Sequence, residues 1–418
     1  MSATPTVLII THTGEEIDWH VGYGPPPEKY IERLEKSAKG IDTFQSLSRL
    51  YKKDPKNVDV VFKLAQKYNY RYTDEAQQMA TKLFQEVLAL DPKGEKGTTE
   101  YGEDKVTYTE YAEFSLAQAS LFPRGAATPE SRNPGPMTTF IQKYPQSKML
   151  QAAYSALSSY YQFAGSKEEA QAFFEEYVAK YPEDPSVLYS YVRRIIRDKE
   201  PLNRGLELAK KIDELTRYNP VARYRQALAQ IYGLQGDWEK AEEVFGKRFM
   251  EGRANSLAYD LIDYARFWIE QNRNLESAES MLDMALRLNP ETSYIRYSAA
   301  GLYVRLKKEE KALQIFGPEY IKDKMKDPSN LDLYASFWAN QKKNLDSALE
   351  AAKRLIELSP KNGSYWMTLG SVYRSLENYS EALKAYEKAL ELVTRESMKK
   401  FIQKTIEDLQ KIIKEKSK

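Results

Sequence analysis

Cysteine is absent from the 418-residue sequence, and histidine occurs only as His12 and His20. Without cysteine the chain can form no disulfide, no thiolate nucleophile and no cysteine-based metal site. A zinc site needs about four ligands, typically including Cys or His, so two histidines do not predict one. They do not suggest a Ser-His-Asp arrangement either, because both lie in one short N-terminal segment. We therefore expect no catalytic residue, no bound metal and no cofactor.

A strong excess of either charge is also missing, since 62 Lys and Arg face 60 Asp and Glu. Nucleic-acid-binding proteins usually carry a basic excess, so we expect no nucleic-acid partner. No apolar run approaches the roughly 18 residues of a membrane span. The start of the sequence lacks the basic region and cleavage site of a signal peptide. The cytoplasm is the default expectation, and a missing upstream segment would instead allow the periplasm.

What the sequence does contain is an internal repeat. The segments FWIEQNRNLESAESMLDMALRLNP and FWANQKKNLDSALEAAKRLIELSP begin at Phe267 and Phe337, 70 residues apart. They share the Phe-Trp pair, the closing proline and several positions between, and the similarity continues through Tyr303 and Tyr373. A 70-residue offset corresponds to two units of about 35 residues, which is typical of a helical repeat array.

The clearest single unit starts at Gly363 and reads GSYWMTLGSVYRSLENYSEALKAYEKALELVTRE. It resembles the tetratricopeptide repeat family in its alternation of small and large residues, namely Trp366, Leu369, Gly370, Tyr373, Ala382, Tyr386 and Ala389. Small residues let two antiparallel helices approach closely, and the large residues fill the space beside them. The resemblance implies an all-α fold, a right-handed α-solenoid of helix pairs.

The repeats do not cover the chain evenly. We expect divergent helical repeats with a loop insertion over 41–145 and tetratricopeptide-like repeats over 146–394. Tyr108 to Leu121 is long enough for a helix, and the Gly- and Pro-rich stretch from Phe122 to Pro136 is typical of a loop. Residues 395–418 have apolar side chains on one helical face and lysines on the other, which predicts a C-terminal capping helix.

Residues 1–40 have a different pattern, predicted as a strand, a turn, a second strand and a helix. This order resembles the C-terminal part of a thioredoxin fold, as in bacterial thioredoxin-family proteins with a repeat tail. The resemblance places Pro5 at the family's cis-proline position. The family's Cys-x-x-C is absent, so redox activity is not implied. We expect this segment to dock onto the first repeat helices near Phe44 to Tyr51 rather than to pair with another chain.

The expected function is a non-catalytic scaffold that binds a protein or peptide in the concave groove of the repeats. In the tetratricopeptide family the first helix of each unit lines this groove, and the resemblance implies as partner-binding residues Tyr259, Arg266, Tyr294, Tyr297, Arg305, Met367 and Arg374. An alternative interpretation is that Tyr294 and Tyr297 pack between repeats. Two other functions stay open, a fragment of a thiol-disulfide oxidoreductase lacking its Cys-x-x-C half and an assembly subunit that oligomerises through its repeats. The sequence leaves the partner's identity, the pathway and the oligomeric state open.

Overall fold

The computed structural model describes residues 6–22, 27–71, 73–123, 131–251 and 258–416. Of these residues, 72% lie in helices, which confirms the predicted helical fold. The chain divides into two compact units, Met1–Lys180 and Tyr181–Lys418. None of the described helices combines the length and the apolar character that crossing a membrane requires.

The first unit begins with an antiparallel hairpin of β1 (Thr6–Ile10) and β2 (Glu16–Val21), followed by α1 (Pro27–Ala38). Gly14 closes the turn with a φ of 86°, a conformation that glycine adopts without steric cost. The predicted order of strand, turn, strand and helix is therefore confirmed. The likeness to the end of a thioredoxin fold stays a prediction, and Pro5 lies outside the described residues.

The rest of this unit is mainly helical, with α2 (Phe44–Lys53), α3 (Val58–Asn69), α4 (Asp74–Leu90), α5 (Tyr108–Leu121), α6 (Gly135–Lys143), α7 (Leu150–Tyr161) and α8 (Lys167–Lys180). Side-chain oxygens of Thr43, Asn57, Thr73 and Thr107 cap the starts of α2 to α5. These caps satisfy backbone N–H groups that the first turn leaves unpaired. Helix α5 has the bounds predicted for it.

Sequence analysis missed one feature of this region, a second hairpin of β3 (Thr98–Tyr101) and β4 (Asp104–Thr107). Threonine and valine favour strands, and Gly102 turns the chain with a φ of 64°. The hairpin leads directly into α5, where the ring of Tyr108 stacks on that of Phe62 with centroids 4.0 Å apart.

The N-terminal hairpin docks on the first repeat helices through the buried carboxylate of Asp18. Lys67 of α3 donates to both of its oxygens, at 2.8 and 2.7 Å. The backbone N–H of Phe44, at the start of α2, lies 3.2 Å from Asp18 Oδ1. The Ser37 hydroxyl of α1 donates to Asp18 Oδ2 at 2.8 Å. A single side chain thus joins the hairpin to three helices, which confirms the expected docking.

The second unit is a series of helix pairs. The first helices are α9 (Pro185–Asp198), α11 (Ala222–Leu234), α14 (Ala258–Glu270), α16 (Ser293–Arg305), α19 (Pro328–Gln341) and α21 (Gly363–Ser375). Their second helices are α10 (Leu202–Leu215), α12 (Trp238–Phe245), α15 (Leu275–Leu288), α17 (Glu309–Phe316), α20 (Leu345–Leu358) and α22 (Tyr379–Leu392). Each first helix contacts its own second helix.

The 70-residue period has a structural cause. In the central part of the second unit, every other second helix is short. These short helices are α12, which ends at Phe245, and α17, which ends at Phe316. Each is followed by a five-residue helix, α13 (Lys247–Glu251) or α18 (Pro318–Lys322). The residues that end them are Gly246 and Gly317. A Cβ there would lie 2.3 Å and 2.1 Å from a backbone oxygen of the preceding turn. Glycine is therefore required for the chain to leave the helix at this angle.

A last helix, α23 (Glu396–Lys416), closes the series. Its buried Ile402 and Leu409 belong to one core cluster with Ala382, Tyr386 and Ala389 of α22. This contact buries the apolar side of the final repeat, as the predicted capping helix would.

Candidate functional site

The first helices of the second unit form one continuous layer, here called the first-helix layer. Helix α9 contacts α11, and the contacts continue from α11 to α14, α16, α19 and α21 in chain order. Polar bonds join neighbours within the layer. The Ser375 hydroxyl of α21 donates to the Ala339 carbonyl of α19 at 2.9 Å. The layer therefore offers a single surface to which every repeat of the unit contributes.

Two of the predicted residues, Tyr259 and Tyr294, come together on this surface. Each is the second residue of its helix, and their ring centroids are 5.8 Å apart across α14 and α16. Their exposed fractions are 49% and 50%. About half of each residue's surface is thus packed, and the other half is accessible to solvent. Of the two interpretations of Tyr294, the structure supports a residue that packs on a neighbouring repeat and is still accessible.

The two predicted arginines nearest this pair have fixed positions. Arg266 pairs with Asp263 one turn away at 2.7 Å. Arg305 pairs with Glu270 at 3.1 Å, which links the last turn of α16 to that of α14. Both pairs are largely exposed, so each adds little to stability. Their geometry nevertheless keeps the guanidinium groups close to the layer.

Tyr297 differs from Tyr294, because its position agrees with the alternative interpretation of a tyrosine that packs between repeats. Its half-buried ring packs edge-on against Phe316 and Phe337, with centroids 6.1 and 5.2 Å away. Tyr297 thus fills space between α16, α17 and α19.

The remaining two predicted residues lie on α21. Met367 is half-buried and packs against the core cluster shared by α22 and α23. Arg374 is exposed. Burial raises the pKa of Tyr386, and the nearby charge of Arg374 opposes that rise. The structure therefore does not bring this pair of residues together with Tyr259 and Tyr294.

Sequence reasoning missed a second aromatic pair on α9 and α11. The rings of Tyr189 and Tyr224 meet edge-on with centroids 5.0 Å apart. Arg223 lies over both rings, 5.9 and 5.0 Å from their centroids. Tyr189 and Arg193 are the fifth and ninth residues of α9, and Arg223 is the second of α11. These are the same helix positions that identified the later residues, so applying that rule to the earlier units would have found them.

An acidic side chain, Asp332, occupies the equivalent fifth position of α19. The Thr368 hydroxyl of α21 donates to its carboxylate at 2.6 Å. Burial raises the pKa of Asp332 in spite of this hydrogen bond. No ion pair of Asp332 occurs among the described residues. The first-helix layer therefore carries an uncompensated carboxylate at α19.

The first unit has a cleft of about 360 Å³ between β2, α1 and α3, lined in part by His20, Ser37 and Lys67. The Ser37 hydroxyl gives its proton to Asp18, so the 2.9 Å contact of Ser37 Oγ with His20 Nε2 takes its proton from the histidine. In this series of hydrogen bonds, Ser37 lies between the carboxylate of Asp18 and the imidazole of His20. His20 Nε2 also lies 3.5 Å from Asp18 Oδ2, but the serine proton goes to the carboxylate and not to the histidine, so the arrangement is not that of a nucleophilic triad. In the described part of the chain no group of three or more His, Cys, Asp or Glu could hold a metal ion.

A family model and several solved structures are similar to this chain. A family model described as ChAPs (Chs5p-Arf1p-binding proteins) matches residues 203–406, a little under half of the chain. Among solved structures, YrrB, described as a TPR protein with an unusual peptide-binding site, is similar at 18% identity over 55% of this chain and 97% of that chain, with a TM-score of 0.25.

Two further solved structures are similar to this chain. A structure of Naa15/Naa10 bound to HypK-THB has 15% identity over 93% of this chain and 64% of that chain, with a TM-score of 0.41. MamA from Desulfovibrio magneticus RS-1 has 18% identity over 41% of this chain and 94% of that chain, with a TM-score of 0.28. The repeated helix pairs, the layer of first helices and the last helix α23 give the chain an α-helical repeat architecture that resembles tetratricopeptide repeats.

Proposed function

We propose that the chain is a non-catalytic interaction scaffold that binds a segment of another protein on its first-helix layer. The observation that carries the proposal is the Tyr259–Tyr294 pair, two half-exposed rings in tilted contact across neighbouring repeats. Tyrosine buries much area with few torsions to immobilise, which is why it is enriched at binding hot spots. The name of the matching family, which describes proteins that bind other proteins, supports this function.

The pair also has the rigidity that a binding surface needs. Each ring is carried by a helix that is anchored in the core, where Ile262 of α14 and Ile295 of α16 are nearly or fully inaccessible. The free protein therefore already holds the rings in place, and a partner does not have to order them. The Arg305–Glu270 pair adds a second link between the same two helices.

A peptide-display selection tests the proposal. The purified chain is used to select from a random peptide library, and the affinity of the enriched peptides is measured by fluorescence polarisation. Tyr259→Ala with Tyr294→Ala should weaken binding about tenfold or more, the loss expected for two hot-spot tyrosines. Tyr218, which is 88% exposed in the turn after α10, provides the matched control, and Tyr218→Ala should leave the affinity unchanged. Failure to enrich any peptide, or equal binding by the double variant, would reject the proposed function.

A further inference from the structure

Three arginines of the first-helix layer, Arg193, Arg223 and Arg374, have no carboxylate partner among the ion pairs of the described residues, and the first two lie on the neighbouring helices α9 and α11. Most arginines on these helices are paired, for example Arg266 with Asp263 and Arg305 with Glu270. Among the ion pairs of the described residues, none involves Arg193 or Arg223, and both side chains are exposed. These two cations therefore have their charge available to an external group.

The two arginines converge on one place, the half-buried Tyr189 ring. Burial raises the pKa of Tyr189, and the charges of Arg193 and Arg223 oppose that rise. The geometry agrees, since Arg193 follows Tyr189 by four residues on the same face of α9 and Arg223 lies 5.9 Å from the Tyr189 ring centroid. Arg223 is further positioned by the two rings beneath it and by its contact with the Tyr224 hydroxyl at 3.4 Å.

The acid that acts on Tyr189 is already bound to another arginine. Asp263 of α14 also acts on Tyr189, but its carboxylate is held by Arg266 at 2.7 Å. A guanidinium stacked on rings still offers a planar set of N–H donors, which match a carboxylate with two parallel bonds. The aromatic surroundings lower the local dielectric and strengthen such a contact relative to one in bulk water.

We propose that the segment bound by the first-helix layer is acidic and places an Asp or Glu carboxylate between Arg193 and Arg223. The inference rests on the proposed function, since it names the chemistry of the partner at the α9–α11 end of the same surface. Tyr189 and Tyr224 provide the floor of this site, and the two arginines provide its charge. Binding at this end depends on salt, because partly exposed ionic contacts are screened.

The test extends the peptide selection. The wild-type chain should enrich peptides that contain Asp or Glu at a fixed place, and their affinity should fall with rising NaCl. Arg193→Glu and Arg223→Glu should each weaken binding of the selected peptides about tenfold or more. The matched control is Arg217→Glu, the same charge reversal at an exposed arginine in the turn after α10, which should leave binding unchanged. Arg223→Lys keeps the charge without the planar donors and should give an intermediate loss.

The outcomes separate this inference from the proposed function. Peptides that require Tyr259 and Tyr294 but show no acidic preference, or that bind the Arg193→Glu and Arg223→Glu chains unchanged, would overturn the inference and leave the scaffold function standing. Enrichment of basic peptides would also overturn the inference and leave the scaffold function standing. If no peptide is enriched at all, both proposals fail. Circular dichroism of each variant should retain the helical signal of the wild type, which excludes misfolding as the cause of a loss.

Discussion

The indole Nε1 of Trp338 donates a 2.8 Å hydrogen bond to the backbone carbonyl of Phe316, the residue at which α17 ends. Trp268 does the same to Phe245 at the end of α12, at 2.9 Å. Both short second helices thus have a terminal carbonyl satisfied by a buried tryptophan from the next repeat. This explains why the Phe-Trp segments and the Phe-Gly turns recur together with a period of about 70 residues.

Replacing Trp338 by phenylalanine should therefore destabilise the chain. The substitution removes the donor and leaves a buried carbonyl without a partner, at a cost of about 1–3 kcal/mol in the free energy of unfolding. Trp366→Phe is the control, because Trp366 makes the same kind of bond, 2.8 Å to the Pro360 carbonyl, at an exposed site. Water can replace that bond, so the loss should be about 0.5 kcal/mol. Denaturant unfolding measures both, and equal losses would contradict the account.

Ala382→Leu should also destabilise, because Ala382 is fully buried in the cluster joining α22 and α23. A larger side chain has no room at this helix crossing, and overpacking costs about 1–3 kcal/mol. The exposed Ala172 of α8 is the control, where the same change should have little effect. An unchanged melting temperature for Ala382→Leu would show that the crossing is looser than the structure indicates.

Sequence and structure agree where local pattern controls the fold. Small residues such as Ala382 and the tyrosines around them reveal the helix pairs because close packing needs them in any repeat. The hairpin of β3 and β4 escaped notice because its four-residue strands are too short to show a period. The helix position of Tyr297 predicts a partner-binding residue on the surface. Its packing against Phe337, however, depends on how the next repeat lies against α16. Arg193 was missed because the repeat pattern is weaker around α9.

Asp18→Ala should release the N-terminal hairpin from α2 and α3. The change leaves the Lys67 ammonium partly buried without its carboxylate and removes the acceptor of the Phe44 amide. We expect a loss of about 1–3 kcal/mol and faster proteolysis within the first 40 residues. Glu32→Ala is the control, because its pair with Lys36 on α1 is exposed and contributes little. Equal protease resistance of the Asp18→Ala chain would show that the hairpin is held by other contacts.

The docked hairpin should lose stability as the pH falls. Burial lowers the pKa of His20, the charges of Lys67 and Arg33 lower it further, and Asp18 opposes them. Below the ordinary histidine pKa of about 6.5 the unfolded chain takes up the proton first, so stability present above that pH is lost on acidification. His20→Gln should flatten the pH dependence of the melting temperature between about pH 7 and pH 5.

The control for this change is His12→Gln, at an exposed position in the hairpin turn. It should leave the pH dependence of the wild type intact. If the His20→Gln chain and the wild type lose stability equally over this range, protonation of His20 is not the cause.

The central claim is that a partner lies on the first helices, and hydrogen–deuterium exchange of the chain with a selected peptide tests it most directly. The account predicts slower exchange in α9, α11, α14 and α16 on adding the peptide, with no change in the second helices α15 and α17. The slowing should disappear in the chain carrying Tyr259→Ala and Tyr294→Ala. Protection confined to the second helices, or protection that persists in that variant, would contradict the claim.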